Sequence, residues 1–174
     1  MFFLSWITPI IALLIKIESS GPVFFKQTRN GIKYKEFTCY KFRSMVENID
    51  ADIQQATKND KRVTKIGKIL RRTSLDELPQ FYNVLIGNMS VVGPRPHMIK
   101  ENERYSKSVN KFMVRHFVKP GITGLAQVKG FRGEIETNDD IINRVKFDIY
   151  YLENWSLILS LIHISEPTRR TPIS

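Results

Sequence analysis

The chain opens with an apolar run that any fold must accommodate. Met1 to Ile15 carries no charged residue, and Lys16 and Glu18 end the run. A helix that crosses a bilayer needs about twenty apolar residues, so this run is too short to span. Pro9 lies in its middle, where proline removes a backbone hydrogen bond and kinks a helix. Ser5 and Thr8 lie within one turn of Pro9 and can satisfy the freed carbonyls. Three readings are open to such a segment. A secretory signal needs a basic start and a small-residue cleavage site, and neither is present. A buried core helix stays open, because runs of this length serve that purpose too. A kinked helix that enters one leaflet and returns to the same side fits best. A basic stretch follows it, with Lys16, Lys26, Arg29, Lys33, Lys35, Lys41 and Arg43. On the re-entrant reading these cations face anionic headgroups on the cytoplasmic side.

The whole chain is strongly basic, with a net charge of +10 in 174 residues. That length is one domain with a real core. That charge calls for an anionic partner, either nucleic acid or an acidic membrane face. Cys39 stands alone, so no internal disulfide can form and a reducing cytosolic setting is expected. It reads as a half-buried strand residue. His97, His116 and His163 are scattered without metal-ligand spacing, and read as structural or surface groups.

Pattern and turn chemistry divide the rest. Gly21-Pro22 marks a turn, Val23-Phe24-Phe25 a short strand, Arg29-Asn30-Gly31 a hairpin turn, and Tyr34 to Phe42 the return strand. Glu47 to Lys58 reads as a polar surface helix or loop, and Lys65 to Arg72 as a short basic helix. A helix is expected from Leu75 to Leu85, with Pro79 in its first turn and Gly87-Asn88 after its end. Val91-Val92 reads as a strand, Ile99 to Phe112 as a charged helix, Lys119 to Gly124 as a loop, and Leu125 to Val128 as a strand. Asn138 to Leu152 closes the pattern as an amphipathic helix with Ile141, Ile142, Val145, Ile149 and Leu152 on one face. The expected fold is α/β or α+β: a compact cytosolic domain with short strands and several helices, preceded by the re-entrant helix. The divisions are 1–18 for that helix, 19–159 for the domain and 160–174 for a tail.

The chemistry concentrates in Arg71-Arg72-Thr73-Ser74-Leu75-Asp76-Glu77, where two adjacent carboxylates follow two arginines. The plain explanation is a capping box, with Ser74 and Glu77 at the right spacing and acids in a helix's first turn. Asp76 is extra to that box, and Arg71 and Arg72 can steer a phosphate to the same helix end. Gly93-Pro94-Arg95-Pro96 holds a third arginine between two prolines, which fix the backbone beneath it. Lys119 before Pro120-Gly121 and Arg132 before Gly133 are further cations beside a backbone break, as in many phosphate sites. Each also reads plainly as a surface cation. No P-loop and no dinucleotide glycine pattern is present. Carboxylates beside fixed guanidiniums suit chemistry on a phosphate.

The motifs Tyr40-Lys41-Phe42-Arg43-Ser44-Met45, Arg72-Thr73-Ser74-Leu75-Asp76-Glu77-Leu78-Pro79-Gln80 and Gly87-Asn88-Met89-Ser90-Val91-Val92-Gly93-Pro94-Arg95-Pro96 carry a resemblance. So do Pro120-Gly121-Ile122-Thr123-Gly124, Ala126-Gln127-Val128, and Tyr150-Tyr151 before Asn154-Trp155-Ser156. From the apolar segment to Leu159 the chain resembles the bacterial sugar transferases, or monotopic phosphoglycosyl transferases. These are polyprenyl-phosphate hexose-1-phosphate transferases. The resemblance implies a re-entrant membrane helix bent at Pro9. It implies that Asp76 is a nucleophile, attacking the β-phosphate of a UDP-sugar to form an acyl phosphate. A polyprenyl (undecaprenyl) phosphate then takes the sugar phosphate, the first membrane step of exopolysaccharide, capsule or O-antigen synthesis. It implies that Glu77 binds Mg²⁺ and that Arg72, Arg95, Lys119 and Arg132 hold substrate. It also implies residence at the bacterial inner membrane, against phospholipid, with the catalytic domain on the cytoplasmic face and no nucleic-acid partner. Gly130-Phe131-Arg132-Gly133-Glu134 with Thr137 looks like the branch that takes UDP-glucose or UDP-galactose, and glucose is the expectation.

The chain departs from the family's pattern in three places. Members usually start with a charged patch, and often further spans, ahead of the membrane helix, so the chain reads as a fragment. Ser160 to Ser174 does not continue the pattern; it reads as translated adapter or vector sequence and is set aside. Lys119 stands where an arginine is common, keeping the charge and losing a bidentate grip. Two rival readings remain. An inactive, truncated membrane scaffold accounts for the same motifs. A basic nucleic-acid module accounts for the charge and aromatics, but not for the apolar run, and no nucleic-acid motif supports it.

Overall fold

The apolar run forms one helix, α1 (Phe2–Glu18), which contains Pro9. This computed structural model describes residues 2–47, 57, 60–133, 135 and 137–156. Its chain divides into two units, one of Met1–Gln27 with Thr38–Tyr82, the other of Thr28–Phe37 with Asn83–Ser174. Most of the polar segment 47–58, and the whole tail 160–174 with His163, lie outside the described residues.

In the first unit α1 has two faces. Ile11 and Ile15 are buried with Phe42 and Leu70, flanked by Ile7, Val23, Ile66, Leu75 and Leu78. Trp6, Ile10, Leu13, Leu14 and Ile17 are exposed, Trp6 at 71% and Ile17 at 73%. The core-helix reading therefore describes one face, and an outward apolar stripe occupies the other. The 17 residues of α1 give a length of about 26 Å at 1.5 Å per residue. Among the described residues no helix is long and apolar enough to cross a membrane.

The end of α1 is tied into the unit by ionic groups on backbone. Glu18 accepts from Lys65 N at 2.6 Å and from Ile66 N at 2.8 Å, capping α2 (Lys65–Thr73) across sequence. Thr64 Oγ1 completes the cap on Gly67 N at 2.9 Å. Burial pushes the Glu18 carboxyl up, but the Ile66 and Lys65 N–H donors outweigh it and hold it below its usual value. Arg43 donates to the Ser19 carbonyl at 2.8 Å and to the Ser20 carbonyl. α2 lies directly on backbone: a Cβ at Gly67 would overlap the Ser44 carbonyl.

β1 (Phe24–Asn30) and β2 (Glu36–Phe42) form the expected hairpin. Its turn falls later than Arg29-Asn30-Gly31, closing at Gly31 N to Lys35 O (2.8 Å) with Lys33 and Tyr34 at positive φ. Cys39 on β2 is buried at 3% exposure, deeper than expected for that position. α3 (Gln80–Leu85) begins in the first unit, whose chain ends at Tyr82, and runs into the second.

In the second unit β3 (Ser90–Val92) pairs in parallel with β4 (Gly121–Thr123), Ser90 opposite Gly121 and Val92 opposite Thr123. α4 (Ile99–Ser108), a 3-10 segment Phe112–Phe117, α5 (Leu125–Val128) and α6 (Asn138–Glu153) pack around them. Tyr105, Val109, Phe112, Ile141 and Val145 make one core cluster. Val92, Leu125 and Tyr151 make another. The elements are thus mixed helix and strand.

Two expectations here are corrected. The loop and strand expected over 119–128 are a strand followed by a helix. Glycine reads as loop, but β3 and β4 approach so closely that a Cβ on Gly121 would overlap Gly93 N. The run Leu125–Val128 closes a helical turn instead, with Val128 N on Gly124 O at 3.1 Å and Lys129 N on Leu125 O at 3.0 Å. The helix expected to reach Phe112 stops at Ser108, and Lys111 takes φ 59° before the 3-10 segment begins. α6 follows its periodicity, with Thr137 and Asp140 as a reciprocal N-terminal cap.

The Gly67 contact gives a prediction. Alanine gains about 1 kcal/mol of helix propensity over glycine, but overlap with fixed backbone costs about 1–3 kcal/mol or more. Gly67→Ala should therefore lower stability in urea unfolding. Gly133→Ala, where an added Cβ meets nothing within 4 Å, should leave it unchanged.

Candidate functional site

In the first unit the acidic pair sits on a sharp reversal. α2 ends with Arg71, Arg72 and Thr73, and Ser74 takes a left-handed conformation, φ 59° and ψ 15°, with its N–H on the Arg71 carbonyl at 3.2 Å. A 3-10 turn, Leu75–Glu77, follows at once, and only then α3. The expected continuous helix over 75–85 is therefore broken. Pro79 stands just ahead of α3, and Tyr82 N is the first to reach its carbonyl, at 3.0 Å. The expected capping box is absent too. Ser74's side chain makes no cap hydrogen bond, because left-handed backbone is not the extended geometry an N-cap needs.

That removes the capping box from the plain explanation for the two acids, which do still lie in the first turn of the 3-10 segment. Asp76 is 8% exposed and Glu77 6%. Glu77 Oε1 accepts from Lys41 Nζ of β2 at 3.0 Å. Arg71 is half-buried, donates from Nε to Ser44 Oγ at 2.8 Å, and feels both acids. Burial lowers the Arg71 guanidinium below its usual value, and Asp76 is the first of the charges that oppose the shift. Burying an ionised carboxylate costs several kcal/mol unless it is paired, so two in consecutive positions need these cations. Arg72 is exposed on the same helix end. Buried acids held between cations fit a nucleophile or metal-binding pair.

In the second unit the Gly93-Pro94-Arg95-Pro96 turn is held by its carbonyls. Pro94 O accepts from Gly121 N at 2.9 Å, Arg95 O from Arg115 Nη2 at 2.6 Å, and Pro96 O from Arg29 Nη1 at 3.0 Å. Arg115 pairs with Asp148 at 2.8 Å, both side chains 3% exposed. Burial pushes the Asp148 carboxyl up, opposed by Arg115 and Arg144. Arg144 donates to the Gly133 carbonyl at 3.0 Å, and burial followed by Arg115 and Arg95 lowers its guanidinium to about 10. Pro94, Arg95, Pro96, Arg115, His116 and Pro120 line a small pocket in this unit. Burial, then Arg115, hold His116 at about 4, and His97 is held well below its ordinary value by the same causes. Both imidazoles are buried and neutral at pH 7, consistent with structural roles. Lys119 is exposed, and Arg132 is partly exposed in the turn after α5.

Asp76, Glu77 and Arg72 thus belong to the first unit, and Arg95, Lys119 and Arg132 to the second. The first unit also brings Lys41 and Arg71 to the acids. The sequence named Arg71 with Arg72 as cations that steer a phosphate to that helix end, whereas Lys41 was legible only as a basic residue of the first motif, with no sign that it meets Glu77. Arg115 and Asp148 were missed, although Arg144 and Asp148 are charged residues four apart on the apolar face of α6. Among the described residues no group of three or more metal-ligating side chains occurs. The Asp76 and Glu77 carboxylates offer hard oxygens, and Mg²⁺ is often held by one or two such groups with substrate phosphates.

Comparison with known proteins bears on the whole chain. It is 53% identical over 163 residues to the UDP-glucose:undecaprenyl-phosphate glucose-1-phosphate transferase of Klebsiella pneumoniae, covering 92% of this chain and 35% of that protein. It is 56% identical over 149 residues to the protein of the same name from Escherichia coli K12, covering 84% of this chain and 32% of that one. It is also 43% identical over 159 residues to the UDP-N-acetylgalactosamine-undecaprenyl-phosphate N-acetylgalactosaminephosphotransferase of Aeromonas hydrophila, covering 91% of this chain and 37% of that one. The chain therefore spans about a third of the length of these relatives. The family model described as bacterial sugar transferase matches residues 1–170, and the chain belongs to that family.

Proposed function

We propose that this chain transfers a hexose-1-phosphate from a UDP-sugar to undecaprenyl phosphate at a bacterial membrane. The observation that carries the reading is the buried Asp76–Glu77 pair, set between Arg71 and Lys41 on the reversal at Ser74. The relatives' names supply the donor and acceptor classes.

In this reading Asp76 carries the chemistry. Its carboxylate oxygen attacks the β-phosphorus of the donor, and the bond to the bridging oxygen breaks, releasing uridine monophosphate. The sugar phosphate stays on Asp76 as an acyl phosphate. An oxygen of the lipid phosphate then attacks the same phosphorus, freeing the carboxylate and giving a lipid-diphosphate-sugar. Covalent catalysis divides one hard transfer into two easier ones. Lys41 holds the Glu77 carboxylate in place, and Arg71 balances the charge of Asp76 before donor arrives. Arg72, Arg95, Lys119 and Arg132 are assigned to holding phosphate oxygens. Glu77 is assigned to Mg²⁺, with Asp76 beside it, and the ion when bound offsets the negative charge of the diphosphate.

Glucose is the favoured sugar. The relatives at 53% and 56% identity are named for glucose, and the one at 43% for an acetamido sugar. Thr137, part of the pattern that points to glucose or galactose, also caps α6.

The outward stripe of α1 supports a re-entrant membrane helix. Trp6, Ile10, Leu13, Leu14 and Ile17 recur at helical spacing and stay exposed. Removing each such side chain from water is worth about 1.5–3 kcal/mol, so the stripe supplies a driving force for insertion without a span. Catalysis then sits on the cytoplasmic face.

Three outcomes follow. Asp76→Asn keeps the shape and removes the attacking charge, so transfer should fall by about a thousandfold or more. No label from the donor's β-phosphate should remain on the protein; trapping by the variant would dismiss Asp76 as nucleophile. Excess chelator should abolish turnover and added Mg²⁺ restore it, and undiminished activity in chelator would end the metal assignment. Finally, Phe3→Cys and Lys26→Cys should react with an impermeant thiol reagent only after the inner membrane is opened. Labelling of the Phe3→Cys protein in intact cells would mean that the segment spans.

A further inference from the structure

The Pro94-Arg95-Pro96 turn has an unusual balance of backbone groups. Proline has no N–H, so Pro94 and Pro96 offer none, and the turn has three carbonyls against one N–H. Its carbonyls are therefore three of the four backbone groups by which it can be held. All three are held from distant points in the chain: Pro94 by Gly121 N, Arg95 by Arg115 Nη2, and Pro96 by Arg29 Nη1. Two of the three donors are guanidiniums. The bond to Arg95's own carbonyl is the shortest, 2.6 Å, and comes from a residue only 4% exposed.

Arg115 is itself fixed on other sides. Asp148 Oδ2 of α6 forms an ion pair with its Nη2 at 2.8 Å, and its guanidinium lies 5.2 Å from the centre of the Phe112 ring. Asp148 is 2% exposed and Phe112 1%. Both contacts fall on one guanidinium nitrogen, Nη2, while the guanidinium also lies over the Phe112 ring, and a lysine ammonium does not keep that ring contact and both polar contacts together. Leaving a cation of this kind buried is costly unless it is paired. The pair therefore transmits the position of α6 to the backbone of one residue, Arg95.

We propose that Arg115, clamped by Asp148, is a positioning residue that aims the Arg95 side chain at the phosphate it grips, with Arg29 holding the turn's far side. This rests on the reading above that Arg95 holds a donor phosphate. A misplacement of about 1 Å in a positioning group can cost about a hundredfold in rate, so a backbone anchor directly beneath the gripping residue has kinetic weight. Arg115 touches no substrate in this scheme. It acts through Arg95 or not at all.

A double-mutant cycle tests this, using the full chain in native-lipid membranes with a UDP-sugar donor. Rates are normalised to the fraction of enzyme that traps covalent sugar phosphate. Arg115→Lys should raise the donor KM about tenfold with kcat changed less. In an Arg95→Ala background the same substitution should change it by less than about twofold, because residues acting as one unit are not additive. Asp148→Asn, which keeps the volume, should repeat the pattern and serves if Arg115→Lys fails to fold. Equal factors in both backgrounds would overturn the inference and leave Arg95's role standing. An Arg95→Ala enzyme with an unchanged donor KM would remove the phosphate grip itself, and the positioning role with it.

Discussion

A guanidinium removed from water must find acceptors, and in both units the acceptors are largely backbone carbonyls of loops. Arg43 takes the carbonyls of Ser19 and Ser20, Arg29 that of Pro96, Arg115 that of Arg95, and Arg144 that of Gly133. These loops have few partners from sheets, since each described sheet has two strands. The arginines do the work that a larger sheet would do elsewhere. Charge-assisted bonds of this kind are worth about 1.5–3 kcal/mol each. Losing one also strands a buried charge, so the loops they hold are fixed more firmly than their irregular backbone suggests.

This changes what the net charge of +10 means. A composition argument assigns all of that charge to an outside partner. Several of these cations are instead internal fasteners, and Lys41 and Arg71 are committed to the acidic pair. The cations available to steer an anion or meet a lipid headgroup are the exposed remainder, such as Arg72 and Lys119. Salt in solution will screen those exposed groups and leave the buried fasteners almost untouched.

Elements governed by local periodicity were legible in the sequence. α6 appears where its apolar spacing places it, and α2 differs from expectation by one residue. Elements governed by contact at a distance were not. Gly121 and Gly93 look like loop glycines until two backbones are seen to touch. Ser74 and Glu77 look like a capping box until Ser74 is found at positive φ, a conformation no spacing rule reports. The same holds at the acids: the motif pointed to Asp76 and Glu77, and Lys41 joins them only because β2 lies against that turn. Asp148 left a faint sign, a charge on an apolar helix face, whose meaning depended on Arg115 far away in sequence.

The cap that Glu18 places on α2 has a mechanical consequence. The last residue of α1 is also the first restraint on α2, with no compliant linker between them. The other end of α2 leads, through the single residue Ser74, into the turn that bears both acids. α1, α2 and the acidic turn are therefore joined end to end by short contacts. The acids lie beyond the far end of α2, about 13 Å along a nine-residue helix from the Glu18 cap. Adding or deleting one residue in α2 would rotate the acids by about 100° around its axis as well as shift them. The length of that short helix therefore sets where the turn beyond it presents the acids.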